Sequence, residues 1–430
     1  MRYAWYGDDF TGASDTLATV AAAGLRSALF LAPPQPAQLQ RLGALDALGI
    51  AGTARGLDPA AMQQELALVA TSLAALQPDV THYKCCSTFD SAPQVGNLAM
   101  GLRGLRQPAH DPSALVLGGQ PSLGRYCVFG QLFASAGQGG EVFRIDRHPT
   151  MRQHPVTPMH EADLRQHLAA QGLAPLRLVD LRQLEGPPEA LAQAVRDAAS
   201  DSQALLFDVL SDAHLQVIGR LIWQRAVQRP QLLLGASSVA QALLSAWPDA
   251  RLNDMAGAAE PVAQGPVFLM VGSLSPVTAA QVAHATTGGV YERIELPAND
   301  LVDSPTRLQD MAALSAARLA AGRSVLAQMA TPEAGQAVTP LAVAQAGGRL
   351  LRQVLDRAPG VRRVGLAGGD TSSWALRALA PWALRWQATL APGVPLLRAH
   401  ADDPAIDGLT LMLKGGQMGP PDLFERLVRG

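Results

Sequence analysis

The sequence predicts an α/β protein of two domains, each built on a largely parallel sheet, and three observations carry that expectation. A chain of 430 residues is longer than a single hydrophobic core ordinarily serves. Short apolar runs alternate with Ala- and Leu-rich helical segments along nearly the whole length, which is the rhythm of βαβ units. Around Asn253 to Gly265 that rhythm lapses into Ala, Gly, Pro and polar residues without a period, and then it restarts. The expected division is a first domain over 1–252, a linker over 253–265 and a second domain over 266–430.

Tyr3 to Tyr6 reads as a strand stopping at Gly7-Asp8-Asp9-Phe10-Thr11-Gly12, after which Leu17 to Ala23 reads as a helix closed by Gly24. Ser27 to Leu31 is the next strand, and Pro33-Pro34-Gln35-Pro36 a loop. Strands are expected at Ala47–Ala51, Val80–Lys84 and Ala114–Leu117, with helices at Pro59–Leu76 and Asn97–Leu105 between them. A loop then runs through Gly124-Arg125, and the proline-rich stretch from Arg147 to Pro158 is irregular. The rest of the first domain reads as helices at Leu164–Ala170, Glu189–Ala199 and Ala213–Gln228, with strands at Leu176–Val179, Ala204–Val209 and Gln231–Leu234. Beyond the linker, strands are expected at Val267–Val271, Tyr291–Glu295, Ser324–Gln328, Val361–Ala367 and Leu409–Leu413. Helices are expected at Pro276–Ala285, between the strands Tyr291–Glu295 and Ser324–Gln328, at Leu341–Ala358, Trp374–Leu379 and from Asp422.

Composition narrows the function classes. A hydrophobic content of 48% against 16% charged residues suits a well-buried globular protein and excludes disorder over any large part. The net charge of -2, from 34 basic and 36 acidic residues scattered along the chain, offers no electrostatic case for nucleic acid or an anionic membrane. Three cysteines, two of them adjacent at Cys85 and Cys86, make neither a disulfide framework nor a zinc spacing and fit a reducing compartment. No signal-peptide pattern opens the sequence, and no apolar run reaches the roughly 18 residues that span a bilayer. The expectation is a cytoplasmic protein with no membrane partner. A homodimer stays open, since nothing in the sequence specifies the oligomeric state.

The chemistry-bearing turns all follow apolar strands, and in open parallel sheets ligands bind beyond the carboxyl ends of the strands. Asp8 and Asp9 are adjacent carboxylates at such an end. They could bind Mg²⁺ or take a proton from a hydroxyl, or cap the helix that follows. Lys84, Ser87, Thr88, Asp90 and Ser91 cluster after the fourth strand in a pattern suited to a small polyhydroxylated acid, with Lys84 and the later Arg125 able to pair a carboxylate or phosphate. Gly368-Gly369-Asp370-Thr371 reads as strand, tight turn and helix start, an outline of an anion site. Ser273 and Ser275 precede Pro276 at another helix start, and Gly415-Gly416 follows Lys414 after the last strand. Neither a P-loop nor an early dinucleotide fingerprint is present, so a nucleotide site here uses another geometry.

Five of these stretches occur in the order found in a known family. Gly7-Asp8-Asp9-Phe10-Thr11-Gly12-Ala13 resembles the N-terminal signature of the four-carbon acid sugar kinases. Lys84 to Ser91 with Gly96-Asn97, Gly272 to Thr278, Gly368 to Ser372 and Lys414-Gly415-Gly416 are similar to its later motifs. The resemblance implies two Rossmann-like domains with an active-site cleft between them, the first binding a sugar acid and the second a nucleotide. It implies ATP-dependent phosphorylation, with Mg²⁺, of a hydroxyl on threonate, erythronate or a 3-oxo-tetronate. By motif, Ser273, Gly368, Gly369, Asp370, Thr371 and Gly416 would contact ATP, while Asp8, Asp9, Lys84, Ser87 and Asp90 would line the acid. Ser275 and Gly415 join the ATP set as neighbours in those turns and Arg125 joins the acid set as a cation suited to the carboxylate, with Asp9 or Asp8 as base and Asp90 as the competitor. Gly7, Cys85 and Gly415-Gly416-Gln417-Met418 depart from the usual pattern and suggest a branch acting on a different sugar acid. The alternative from another class is a non-catalytic sugar-acid sensor; a dehydrogenase or aldolase lacks a nicotinamide fingerprint or a Schiff-base lysine setting.

Overall fold

The computed structural model describes residues 1–137, 139–247, 262–330, 338–391 and 393–429, so most of the expected linker lies outside the described residues. The chain divides into two compact units, Met1–Met255 and Ala256–Gly430.

The first unit carries β1 (Tyr3–Gly7), β2 (Ser27–Phe30), β3 (Ala47–Ala51), β4 (Val80–Lys84), β5 (Ala114–Leu117), β6 (Arg125–Val128), β7 (Gln131–Ser135), β8 (Val142–Arg144), β9 (Leu176–Val179), β10 (Ala204–Phe207) and β11 (Gln231–Gly235). Eight of them form a parallel sheet in the order β2-β3-β1-β4-β11-β5-β10-β9. Helices on its faces bury the central strands on both sides, which is why β1 and β5 read as continuous apolar runs without alternation, as does β11 after Gln231, and why β4 is fully buried although it carries Thr81, His82 and Lys84. The register sets Gly7 opposite both Ala51 and Lys84, and Lys84 opposite Gly235, so these neighbouring strands stop level with one another.

The second unit carries β12 (Val267–Val271), β13 (Glu292–Leu296), β14 (Val325–Met329), β15 (Arg363–Ala367), β16 (Ala383–Ala391), β17 (Val394–His400) and β18 (Thr410–Lys414), in the order β13-β14-β12-β15-β18-β17-β16. From β13 to β18 the pairing is parallel, while β17 runs antiparallel to both its neighbours. The C-terminal helix Leu423–Arg429 buries Leu423, Phe424 and Leu427 against β12 and its neighbours.

Several elements differ from the sequence reading. The first helix spans Phe10–Ala22, starting earlier than Leu17 because the Asp9 side chain accepts from the Gly12 N–H at 2.9 Å and caps a turn rich in poor helix formers. Pro36 opens a helix, Pro36–Leu42, where a loop was expected, since a proline at the first helical position removes a donor that lacks a partner anyway. A three-stranded antiparallel sheet, β6-β7-β8, fills the expected loop after Gly124; its first hairpin turns through Phe129 and Gly130, both at positive φ. The helix expected from Trp374 spans Gly369–Leu379. The β16–β17 hairpin and the helix Ser238–Ser245 have no counterpart in the sequence reading. Among the described residues no helix is long and apolar enough to cross a membrane.

Candidate functional site

In the first unit the level ends of β3, β1 and β4 bring three turns together. The Asp8 N–H donates to the Lys84 carbonyl at 3.0 Å, and the Arg55 N–H donates to the Asp8 carbonyl at 3.1 Å, so the main chain itself stitches the turns. Arg55 Nη2 then donates to Asp8 Oδ1 at 2.8 Å and to Asp9 Oδ1 at 2.9 Å, bridging the two carboxylates. Asp8 is 3% exposed, whereas the Asp9 side chain is about a quarter exposed, and Asp9 Oδ2 has no hydrogen-bond partner among the described residues. Burial pushes the Asp8 carboxyl up to about 6; Arg55 and Lys84 oppose that rise and Asp9 adds to it. Burial alone would lower the Arg55 pKa, but the nearby carboxylates hold it above its ordinary value.

Lys84 is buried beside this pair, and its ammonium makes no hydrogen bond or ion pair among the described residues. Gly12 is what admits it: a Cβ there would lie 2.0 Å from Lys84 Nζ and 2.6 Å from Asp9 Oδ1. Asp90 accepts from the Thr88 hydroxyl at 2.5 Å and lies 3.5 Å from the Thr157 hydroxyl, with the intervening Phe89 held at φ 54°, a left-handed conformation unusual for an aromatic residue. Ser87, two residues ahead of Phe89, is half-buried in the same turn. Arg125, at the start of β6, donates through Nη1 to the Leu123 carbonyl at 2.6 Å and the Ser135 carbonyl at 3.4 Å, but its buried Nε has no partner among the described residues. Burial lowers the Arg125 pKa, and electrostatic contacts with Cys86 of the β4 turn and with Tyr126 work against this. This unit therefore holds two carboxylates tied by one arginine, and two further cations, Lys84 and Arg125, that pair with no carboxylate among the described residues.

In the second unit the adjacent strands β12, β15 and β18 end in Gly272-Ser273, Gly368-Gly369 and Gly415-Gly416. The Gly272 and Ser273 N–H groups donate to the Ala367 carbonyl at 2.9 and 3.1 Å, and the Gly368 N–H to the Lys414 carbonyl at 3.0 Å. Ser275 caps the helix Pro276–Thr287, and its hydroxyl also donates to the Gly416 carbonyl. The Thr278 hydroxyl donates to the same carbonyl at 2.9 Å and accepts from Lys414 Nζ at 2.8 Å. A Cβ on Gly416 would lie 2.7 Å from the Ser273 hydroxyl, and one on Gly368 3.0 Å from the Thr371 hydroxyl, so the main chain lies bare where three turns meet. Gly368 sits at φ 126° and the helix it opens has no side-chain cap, leaving the first N–H groups of that helix open to an anion. Asp370, in that first turn, is exposed.

Sequence reasoning missed Arg55, and it placed Thr278 and Lys414 in motifs without giving either side chain a role. A lone arginine in Gly52-Thr53-Ala54-Arg55-Gly56 carries no signal until β3 is known to lie beside β1. Lys414 was legible in one respect, as a lysine closing the apolar run Leu411-Met412-Leu413.

Fold and turns together define a two-unit α/β protein with a charged, hydroxyl-rich cluster at the strand ends of one unit and convergent glycine turns at those of the other. The profile of a sugar-binding N-terminal domain matches residues 3–243, and that of a nucleotide-binding C-terminal domain matches residues 268–424. The chain is 39% identical to a 3-oxo-isoapionate kinase of Paraburkholderia graminis, over 100% of this chain and 94% of that protein. It is 31% identical to a 3-oxo-tetronate kinase of Methylobacterium radiotolerans, over 98% and 97%. Solved structures of a Salmonella typhimurium LT2 protein (TM-score 0.83, 22% identity, 99% of this chain and 98% of that one) and a Haemophilus influenzae protein (TM-score 0.78, 21% identity, 99% and 98%) share the fold. The chain belongs to the four-carbon acid sugar kinase family.

Proposed function

We propose that this chain transfers the γ-phosphoryl group of ATP to a hydroxyl of a small 3-oxo sugar acid, with residues 1–252 binding the acid and 266–430 the nucleotide. The observation that carries the reading is the presence together, in the first unit, of a carboxylate oxygen, Asp9 Oδ2, and two cations, Lys84 and Arg125, that have no partner of opposite character among the described residues. A cation without a counter-charge is what an acid substrate needs, and an open carboxylate oxygen is what its hydroxyl needs. The relatives named above are kinases of 3-oxo acids, which supports the same substrate class.

In this reading Arg125 and Lys84 pair the substrate carboxylate, and Asp90 and Ser87 bind its hydroxyls. Asp9 Oδ2 accepts the proton of the attacking hydroxyl as its oxygen bonds to the γ-phosphorus and the bond to ADP breaks. Asp8 and Arg55 fix the orientation of Asp9. Phosphoryl transfer asks mainly for positioning and charge neutralisation. The bare turns at Ser273, Gly368 to Thr371 and Gly415-Gly416 suit the phosphates, with Ser275 holding the Gly416 carbonyl. Among the described residues no three His, Cys, Asp or Glu side chains gather as a metal site, and the donor set fits Mg²⁺ carried on the nucleotide with Asp370 as the nearby carboxylate. Bound there, Mg²⁺ would neutralise charge on the phosphates. A cytoplasmic location, where ATP is supplied, belongs to the same reading.

The test is ADP release by the purified protein with ATP and Mg²⁺ against 3-oxo-isoapionate, the 3-oxo-tetronates, threonate and erythronate. Turnover is expected on a 3-oxo acid, with Asp9→Asn lowering kcat by roughly 100-fold or more and leaving KM nearly unchanged. No ADP release with any of these acids would refute the substrate class, and full turnover by Asp9→Asn would refute the base.

A further inference from the structure

Lys414 is 2% exposed, yet no carboxylate pairs with it among the described residues. Its ammonium donates to the Thr278 hydroxyl at 2.8 Å and the Gly416 carbonyl at 3.3 Å, and lies 5.8 Å from the centre of the buried Phe424 ring. Neutral oxygens and one aromatic face solvate the ammonium only in part, and an uncompensated charge held out of water is costly. The fold retains it directly behind the three glycine turns, at the one carbonyl that Ser275 and Thr278 also hold.

We propose that Lys414 is a positioning residue of the nucleotide site whose missing counter-charge is the nucleotide's phosphate, so that binding a nucleotide draws a proton onto the protein in mildly alkaline solution. The proposal rests on the nucleotide reading of the second unit. Lys414 acts through the Gly416 turn and through its field, its contacts being to Thr278 and the Gly416 carbonyl.

Burial brings the free ammonium down to about 8. The charged groups on the elements around it are occupied or distant from it. On the helix Pro276–Thr287, His284 pairs with Glu425 of the C-terminal helix at 3.1 Å, and Glu425 also pairs with Arg429. Arg426 pairs with Asp422 at 3.0 Å, Arg363 of β15 donates to the Leu427 carbonyl, and Arg377 stacks on Trp374 beside the exposed Asp370. None of them contributes to the Lys414 shift, which comes from burial. A phosphate at the glycine turns would supply the first opposite charge and raise the lysine's proton affinity.

The experiment is titration calorimetry of the full chain with ADP at pH 8.5 and pH 6.5, each in two buffers of different ionisation enthalpy, which yields the protons taken up per ADP bound. At pH 8.5 a lysine titrating near 8 is only about one-quarter protonated, so uptake approaches about three-quarters of a proton per site. The ADP phosphates, with a second pKa near 6, add nothing there. At pH 6.5 the lysine is already charged and the uptake it contributes vanishes. Lys414→Arg keeps the charge at both pH values and is expected to bind ADP without uptake at pH 8.5; Lys414→Met is expected to bind at least 10-fold more weakly, also without uptake. A merely structural lysine would weaken binding on substitution and leave the proton count unchanged. ADP binding by the wild type with no uptake at pH 8.5, or uptake that survives in Lys414→Arg, overturns the proposal and leaves the kinase reading standing. Failure of the wild type to bind ADP at either pH overturns both. The wild-type pH pair and Lys414→Arg decide the matter even where Lys414→Met does not fold.

Discussion

Replacing Asp8 by Asn is expected to make the protein more stable and less active at the same time. Burial is the chief cause that pushes the folded Asp8 carboxyl up to about 6, from an ordinary 3.8. A carboxyl raised in the folded state stabilises fully below its unfolded pKa, and that contribution is lost as pH rises through the folded one. At pH 7.5 ionised Asp8 therefore works against folding by the whole gap of about two units, about 3 kcal/mol. Asn has nearly the shape of the neutral acid and carries no such burden. Urea unfolding followed by tryptophan fluorescence, with Trp5 buried in β1 beside the site, reads the difference. Asp8→Asn should gain about 3 kcal/mol at pH 7.5 and only about 1 kcal/mol at pH 4.5, where the wild-type residue is largely neutral when folded. Turnover should fall because Arg55 loses one of the carboxylates that hold it against Asp9. An equal or lower stability at pH 7.5, or a gain that does not shrink with acid, would show that burial is not the dominant influence on Asp8.

Arg55→Gln removes the partner of both carboxylates and should destabilise the first unit by about 3–5 kcal/mol, with the Asp8 pKa moving further up; unfolding at pH 7.5 against pH 5 checks this, and the loss should be smaller at the lower pH. Lys84→Met and Arg125→Met should each raise KM for the acid substrate by roughly 10- to 100-fold, the worth of one charged hydrogen bond, with KM for ATP unchanged in steady-state kinetics. Gly416→Ala brings a Cβ to 2.7 Å from the Ser273 hydroxyl and should raise KM for ATP while KM for the acid holds.

Much of the fold is legible because apolar runs and helix caps are local. Pro59–Leu76, Val80–Lys84 and Val267–Val271 begin and end where the sequence reading puts them, as Asp58 caps the first, Val267–Val271 is an unbroken apolar run, and Val80–Lys84 starts after Pro78-Asp79 and ends on Lys84 at the polar turn that follows. The β16–β17 hairpin escapes because its strands mix buried and exposed positions irregularly and its bulges break the period of two. In the site, Asp8, Asp9 and Lys84 stand out as polar residues closing apolar strands. Their meeting with Arg55 depends on β3 and β4 flanking β1 in register, which is a non-local fact no window of sequence contains.

The bareness of the second unit's glycine turns also constrains how this chain can evolve. A Cβ on Gly272 would meet the Thr371 hydroxyl at 2.2 Å and the Met329 methyl at 2.4 Å, so positions on two different strand ends share the space of one methyl group. Met329 gives way most easily, its methyl being the end of a flexible side chain, whereas the Thr371 hydroxyl, one bond from Cβ in the first turn of a helix, can leave only by changing rotamer. A lineage leaving glycine at 272 must therefore re-aim or shrink residue 371, and the two positions are expected to drift as a pair.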